Sequence, residues 1–141
     1  MPERKRFDVV LFIVHPTLTP AEINVGLGLD AQIIHGVKEQ RRTPKRKLPG
    51  FYSDTRWRYS IRHKTDDQWF ADEVVLFIER LEHNTAFLRT LSATGGRSEL
   101  IIQFLGDGYF GDRIPCAALA KLVSMDVDLS IECFTDPQYP R

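Results

Sequence analysis

GDGYFG, residues 106–111, has the residue types and spacing for phosphate chemistry. It fits G-x-G-x-x-G, follows an apolar segment, and is followed by Asp128 about twenty residues on, where a ribose-binding acid would stand in a dinucleotide fold. Its neighbours oppose that use. Asp107 and Asp112 place negative charge where a pyrophosphate would sit, and Pro115 rather than Gly111 marks the next helix start. The segment therefore reads as a glycine loop, and no cofactor is expected. Other candidates for chemistry fare no better. His15, His35, His63 and His83 have no metal-ligand spacing among themselves or with Cys116 and Cys133. His63 falls on the apolar side of an alternating segment. The two cysteines lie in apolar patterns and read as buried, reduced thiols. Asp66-Asp67 and Asp72-Glu73 look like paired carboxylates, but they fall in the first turns of a helical pattern, where acids suit the positive end of the dipole. No catalytic residue is assigned.

The strongest signal is VKEQRRTPKRKLPG, residues 37–50, in which Lys38, Arg41, Arg42, Lys45, Arg46 and Lys47 stand against one acid, Glu39. Arg56, Arg58 and Arg62 follow in TRWRYSIRH. Between residues 38 and 64 ten basic residues face two acids, a local charge of +8. The remaining nine basic and seventeen acidic residues carry −8. The formal net charge of zero is thus a cancellation that hides a local field. These nine cations are the expected working surface, and an acidic protein partner is the expected ligand. Nucleic acid is the alternative, because phosphates need Lys and Arg and exposed rings stack on bases. Against it, Trp57 and Tyr59 alternate with the arginines, so rings and charges point to opposite faces, whereas a stacking platform needs both on one face. A metal-dependent enzyme with gathered histidines is a further alternative.

These residues need elements to hold them. RFDVVLFIV, residues 6–14, reads as a buried first strand. A helix follows, with Thr19 and Glu22 as a capping box, Pro20 in the first turn and Gly28 as a left-handed stop. AQIIHGV is a weaker strand running into the basic segment, which Pro44 and Pro49 make a loop or flap. In residues 55–63, Trp57, Tyr59, Ile61 and His63 share one face and Arg56, Arg58, Ser60 and Arg62 the other, the alternation of a strand with one wet side. A long helix is expected from Asp66, with a possible break at His83-Asn84 and a stop at Gly95-Gly96. SELIIQFL, IPCAALAKLVSM and VDLSIECF then read as strand, helix and strand. If the strands carrying Arg56, Arg58 and Arg62 and Asp128 and Glu132 are neighbours, cross-strand pairs would absorb the arginines.

Two strand–helix–strand units at the ends of the chain flank the long helix. The expected fold is one α+β domain over residues 1–141, with its core in 6–134 and a frayed tail at 135–141. The sheet should be mostly antiparallel, a ferredoxin-like pseudo-repeat with helices packed on one face. Six apolar residues near the N-terminus, ended by His15-Pro16, are too few for a secretion signal or a bilayer span, so a cytoplasmic setting without membrane contact is expected.

The first strand with LTPAEINVGLGLD, the basic stretch leading to TRWRYSIRH, FIERLEHNTAFLRTLSATGG and IPCAALAKLVSMDVDLSIECF together resemble the bacterial family called domain of unknown function 4279. The likeness spans nearly the whole chain. It departs at Ile114-Pro115, where the family tends to have Ser-Pro or Thr-Pro. The resemblance implies a single bacterial intracellular domain and carries over no catalytic residue. With the basic surface, it suggests an immunity-like or accessory interaction module.

Overall fold

The structure, a computed structural model, describes residues 5–65, 67–106 and 108–134. Expectations for Asp66, Asp107 and the tail 135–141 lie outside the described residues. In chain order the elements are β1 (Arg6–His15), α1 (Pro20–Leu27), β2 (Ile33–His35), β3 (Gln40–Arg42), β4 (Lys47–Phe51), β5 (Thr55–Lys64), α2 (Ala71–Glu82), α3 (Thr85–Ala93), β6 (Arg97–Leu105), α4 (Cys116–Ser124) and β7 (Val127–Phe134). Five strands form one mixed, mostly antiparallel sheet in the order β2-β5-β1-β6-β7, and β3 pairs with β4 in a separate hairpin. The fold class is α+β, as the sequence implies.

β1 sets the layers. It pairs antiparallel with β5 from Arg6↔Lys64 to His15↔Thr55, and with β6 from Arg6↔Leu105 to Val14↔Arg97. Directly opposed residues share a face, so Phe7, Val9, Leu11 and Ile13 line up with Trp57 on β5 and with Leu100, Ile102 and Phe104 on β6. All are buried in one core with residues from every helix, among them Ile23, Phe77, Leu88 and Leu122. Trp57 enters this core with its indole N–H satisfied, donating to Asn24 Oδ1 at 2.7 Å.

The two strand–helix–strand units differ in one respect. β6 and β7 are parallel neighbours joined through α4, whereas β5 lies between β1 and β2. The halves are therefore not copies of one arrangement. β2 has only three residues, against ten for β5, and pairs along β5 instead of β1.

The first helix forms as its local sequence dictates. Thr19 Oγ1 accepts the Glu22 N–H, the Glu22 carboxylate accepts the Thr19 N–H, and Gly28 ends the helix at φ 66°. The long helix does not form as one piece. Its first piece runs from Ala71, after Asp67, and His83-Asn84 separate α2 from α3. Phe70 stands at the α2 N-cap and has no side-chain oxygen to offer. Asp112 does that work from the glycine loop. Its Oδ2 accepts the N–H groups of Phe70 at 3.1 Å and Ala71 at 2.8 Å, and its Oδ1 accepts the Arg113 N–H at 2.8 Å. The backbone hydrogen bond from Ala71 is the largest cause holding this carboxyl below its ordinary range, helped by that from Arg113.

β1 ends at His15, which is fully buried. Its Nδ1 accepts the N–H groups of Thr17 at 3.1 Å and Leu18 at 3.0 Å. The proton therefore sits on Nε2, which donates to Thr94 Oγ1 at 2.8 Å, and that hydroxyl donates to the Thr90 carbonyl. A neutral ring thus ties the start of α1 to the end of α3. Burial lowers its pKa from 6.5, against an opposing pull from Glu22. Gly96 has no room for a side chain here: a Cβ would lie 2.6 Å from His15 Cδ2 and 2.8 Å from the Leu91 carbonyl oxygen.

The cysteines correct the sequence reading. Cys116 and Cys133 are both exposed free thiols. In β7 the side chains of Leu129, Ile131 and Cys133 do share the face of Leu100, Ile102 and Phe104, but β7 is the sheet edge and only Val127 is buried there.

Two outcomes test these positions. A lowered histidine pKa means that the unfolded chain binds the proton first, so His15 costs stability as pH falls below about 6.5. Thermal midpoints should fall from about pH 7.5 to about pH 5.5, and less steeply in His15→Asn; equal slopes would remove His15 from the cause. Asp112 has the opposite sign of charge and a depressed pKa. Its contribution is present above the unfolded carboxyl value of 3.8 and lost as pH falls through the folded value. Asp112→Ala should therefore melt earlier than wild type at neutral pH, with the gap closing in acid.

Candidate functional site

The basic segment leaves the sheet edge after β2 and returns as β5. At its base, Lys38 N–H donates to the Tyr52 carbonyl and Tyr52 N–H to the Glu39 carbonyl, each at 2.9 Å. Lys38 takes φ 68°, and the Glu39 carboxylate accepts the Gly36 N–H, which occupies the one acid of the run. β3 and β4 then pair at Gln40↔Phe51 and Arg42↔Lys47, with an irregularity between. The loop or flap read from the sequence is thus refined to a two-stranded hairpin. Thr43 Oγ1 accepts the N–H groups of Lys45 and Arg46, closing the turn, and Pro44 fits that turn while Pro49 sits on an open strand edge.

Lys38, Arg41, Arg42, Lys45, Arg46 and Lys47 are all exposed. None is within ion-pair distance of a carboxylate among the described residues. Arg41 Nη1 reaches the Pro49 carbonyl at 3.4 Å. Phe51 is 66% exposed beside them. A cleft of about 460 Å³ runs between the hairpin and β2, lined by Ile34, His35, Gln40, Arg42, Pro44 and Tyr52. The Tyr52 ring stacks on His35 with centroids 3.6 Å apart and planes 4° apart, and His35 Nε2 lies 3.5 Å from Asp54 Oδ1.

The arginines of β5 are differently placed. They lie on the sheet face away from the helices, and so do Asp128 and Glu132. The strands are not neighbours, however, because β1 and β6 lie between β5 and β7. Direct cross-strand pairs are therefore replaced by a relay. Arg58 Nη2 donates to Gln103 Oε1 at 3.1 Å, and Gln103 Nε2 donates to Glu132 Oε1 at 2.7 Å. Arg62 pairs with Asp8 at 3.3 Å, and Arg56 with Asp54 at 3.4 Å. The nine expected cations thus divide into six that have no carboxylate partner among the described residues and three that the fold itself answers.

The rings of β5 are unavailable for stacking on a base. Trp57 is fully buried, and Tyr59 lies between Trp57 and Phe77 with Arg80 over its ring. The histidines are scattered: His63 stacks on Phe7 and approaches Glu73 Oε2 at 3.8 Å, and His83 ends α2. Among the described residues no three of His, Cys, Asp and Glu converge. No helix of the described residues is long and apolar enough to cross a membrane.

The far end of the sheet carries features that sequence reasoning missed. Exposed Trp69 and Tyr109 flank a cleft of about 590 Å³ with Asp112, Arg113 and Pro115. Beside it, Phe70, Phe104, Phe110, Ile131, Cys133 and Phe134 border a cavity of about 570 Å³. The available signal was two large rings, Trp69 and Tyr109, in segments without helical or strand periodicity. Comparison with protein-family models, with curated proteins and with solved structures finds no match for the chain.

The two classes of cation should separate in stability. Asp8 is buried between Arg62 and Arg6, so Asp8→Ala strands charge and should cost about 1–3 kcal/mol. Changing Lys45, Arg46 and Lys47 together to Ala should leave stability within about 0.5 kcal/mol. Denaturant midpoints of the two variants check this, and a large loss in the hairpin variant would show that its cations serve the fold.

Proposed function

We propose that this chain is a small non-catalytic protein-interaction module, immunity-like or accessory in kind, that docks its basic hairpin on an acidic surface of a partner protein. One observation supports this most: six exposed cations on and at the base of one projecting hairpin lack carboxylate partners among the described residues, while Arg56 and Arg62 of β5 pair with Asp54 and Asp8 and Arg58 is held by Gln103. Fully solvated surface charges contribute little to folding, so a concentration of them away from the acids suits recognition. The resemblance to the bacterial family of domain of unknown function 4279 fits this reading, with a cytoplasmic setting. The order β2-β5-β1-β6 with antiparallel neighbours supports reading those strands as ferredoxin-like, with β7 added at the β6 edge.

Nucleic acid is the second reading, favoured by the exposed Phe51 ring beside the cations. One ring gives a poor stacking platform, and the buried Trp57 cannot add to it.

The test is capture of partners from nuclease-treated host extract on the wild-type chain and on the variant with Lys45, Arg46 and Lys47 changed to Ala. Three rim contacts at about 0.5 kcal/mol each predict roughly tenfold weaker binding of the captured protein by the variant. An apolar part of the interface should persist as salt rises. Capture unaffected by the variant would overturn the role of the hairpin. Loss of all protein capture, with log-linear salt-sensitive binding of oligonucleotides, would favour the second reading.

A further inference from the structure

β7 is an unusual edge. It has eight residues, pairs with β6 in unbroken parallel register from Ser98↔Val127 to Leu105↔Phe134, and has no described strand on its other side. Such an edge offers a row of backbone donors and acceptors to any extended chain. Proteins usually guard it with lysine, proline, a bulge or a covering element. VDLSIECF has no lysine or proline, and its register with β6 shows no bulge. α4 shields only its beginning: Val127 is buried, whereas Leu129 is 37%, Ile131 62% and Phe134 46% exposed.

The charges on β7 say what kind of strand fits. Asp128 and Glu132 are exposed on one face, and exposed Asp126 stands just before the strand. If two copies paired β7 to β7 antiparallel about Ser130, Asp128 of each would face Glu132 of the other. Like charges directly opposed destabilise such pairing. That register of self-pairing is disfavoured, whereas a cationic partner strand would meet opposite charge.

The chain carries such a segment at the opposite end of the sheet. β3 and β4 pair only with each other among the described residues, and since Lys47 and Pro49 guard the outer edge of β4, it is the β3 edge, Gln40–Arg42, that is left to pair. The six cations on the hairpin and at its base have no carboxylate partner among the described residues, and Phe51 is available to meet the exposed apolar side chains of β7. The sheet order puts β7 and the β2 edge, from which the hairpin springs, at opposite ends.

We propose that the β7 edge is the docking site for the basic hairpin of a second copy of this chain, whose cations lie beside Asp128 and Glu132. The inference rests on the hairpin reading above and names one acidic surface that the hairpin recognises. The contact joins two different surfaces, so it runs head to tail and builds rings or open chains instead of closing as a twofold dimer.

Sedimentation velocity of the full chain tests this with two variants. One reverses the tip of the hairpin, Lys45→Glu, Arg46→Glu and Lys47→Glu, and cancels the charge of its six cationic positions. The other reverses the edge, Asp128→Lys and Glu132→Lys. The wild type should associate with rising concentration at about 50 mM salt and dissociate at about 500 mM, where the screening length is about threefold shorter. Each variant alone loses the attraction between opposite charges and should stay monomeric. Their equimolar mixture brings the unaltered hairpin of one to the unaltered edge of the other and should associate at least about tenfold more tightly than either alone. Recovery in the mixture requires both variants to be folded, so it separates lost contact from lost structure. A wild type that stays monomeric at low salt, an edge variant that associates like wild type, or a mixture that stays monomeric would each overturn the proposal. If the wild type is monomeric and yet captures an acidic host protein through the hairpin, self-association falls while the hairpin reading stands.

Discussion

The whole arrangement depends on the parity of β1. Lying between β5 and β6, it commits alternate side chains to opposite faces over ten residues. Phe7, Val9, Leu11 and Ile13 meet the helices, and Asp8, Val10, Phe12 and Val14 look the other way. A slip of one residue would turn Asp8 into the core and Leu11 out of it, so register is strongly specified. The same strand delivers His15 to the place where α1 begins and α3 ends. There, burial keeps the ring neutral and makes it a fixed bracket between the two helices.

The face of the sheet that lacks helices is polar but not idle. Val10 and Ile101 are buried at its centre, and around them the Arg58–Gln103–Glu132 relay and the Arg62–Asp8 pair span four strands. These contacts tie down charge that the sequence presents as one basic block. The hairpin lies beyond the sheet edge and outside such contacts. Screening by water and salt leaves little attraction between its cations and distant acids of the same chain. The asymmetry of +8 and −8 thus becomes a spatial one, with free positive charge on the hairpin at one edge and acids along the other.

The glycine loop shows how a motif can keep its letters and change its work. GDGYFG has the spacing of a phosphate turn. Asp112, the next residue in the chain, points its carboxylate at the N-terminus of α2 and takes the donors that an anion would otherwise find. A helix whose own cap residue is Phe70 borrows its cap from a segment about forty residues away in sequence, and the loop is held in place by the same bonds.

Much of the fold was legible in the chain because its cause lies within a few residues. Thr19, Glu22 and Gly28 define α1 through bonds spanning at most four positions, and the alternation from Trp57 to His63 announces which side of β5 is wet. The positions of β1, α4 and β7, the Gly95-Gly96 stop and the charge imbalance were readable for the same reason. Other features wait on which strand lies beside which. Asp112 caps a helix only because the loop after β6 passes the start of α2. Arg58 reaches Glu132 only through Gln103, since β1 and β6 separate their strands. Cys133 has the pattern of a core residue and is exposed because nothing among the described residues covers the β7 edge beside it. Local hydrogen bonding and periodicity determine the elements and their faces. Strand order and edge position decide which charges are answered and which apolar side chains stay in water, and those depend on long-range contacts that no short window of sequence contains.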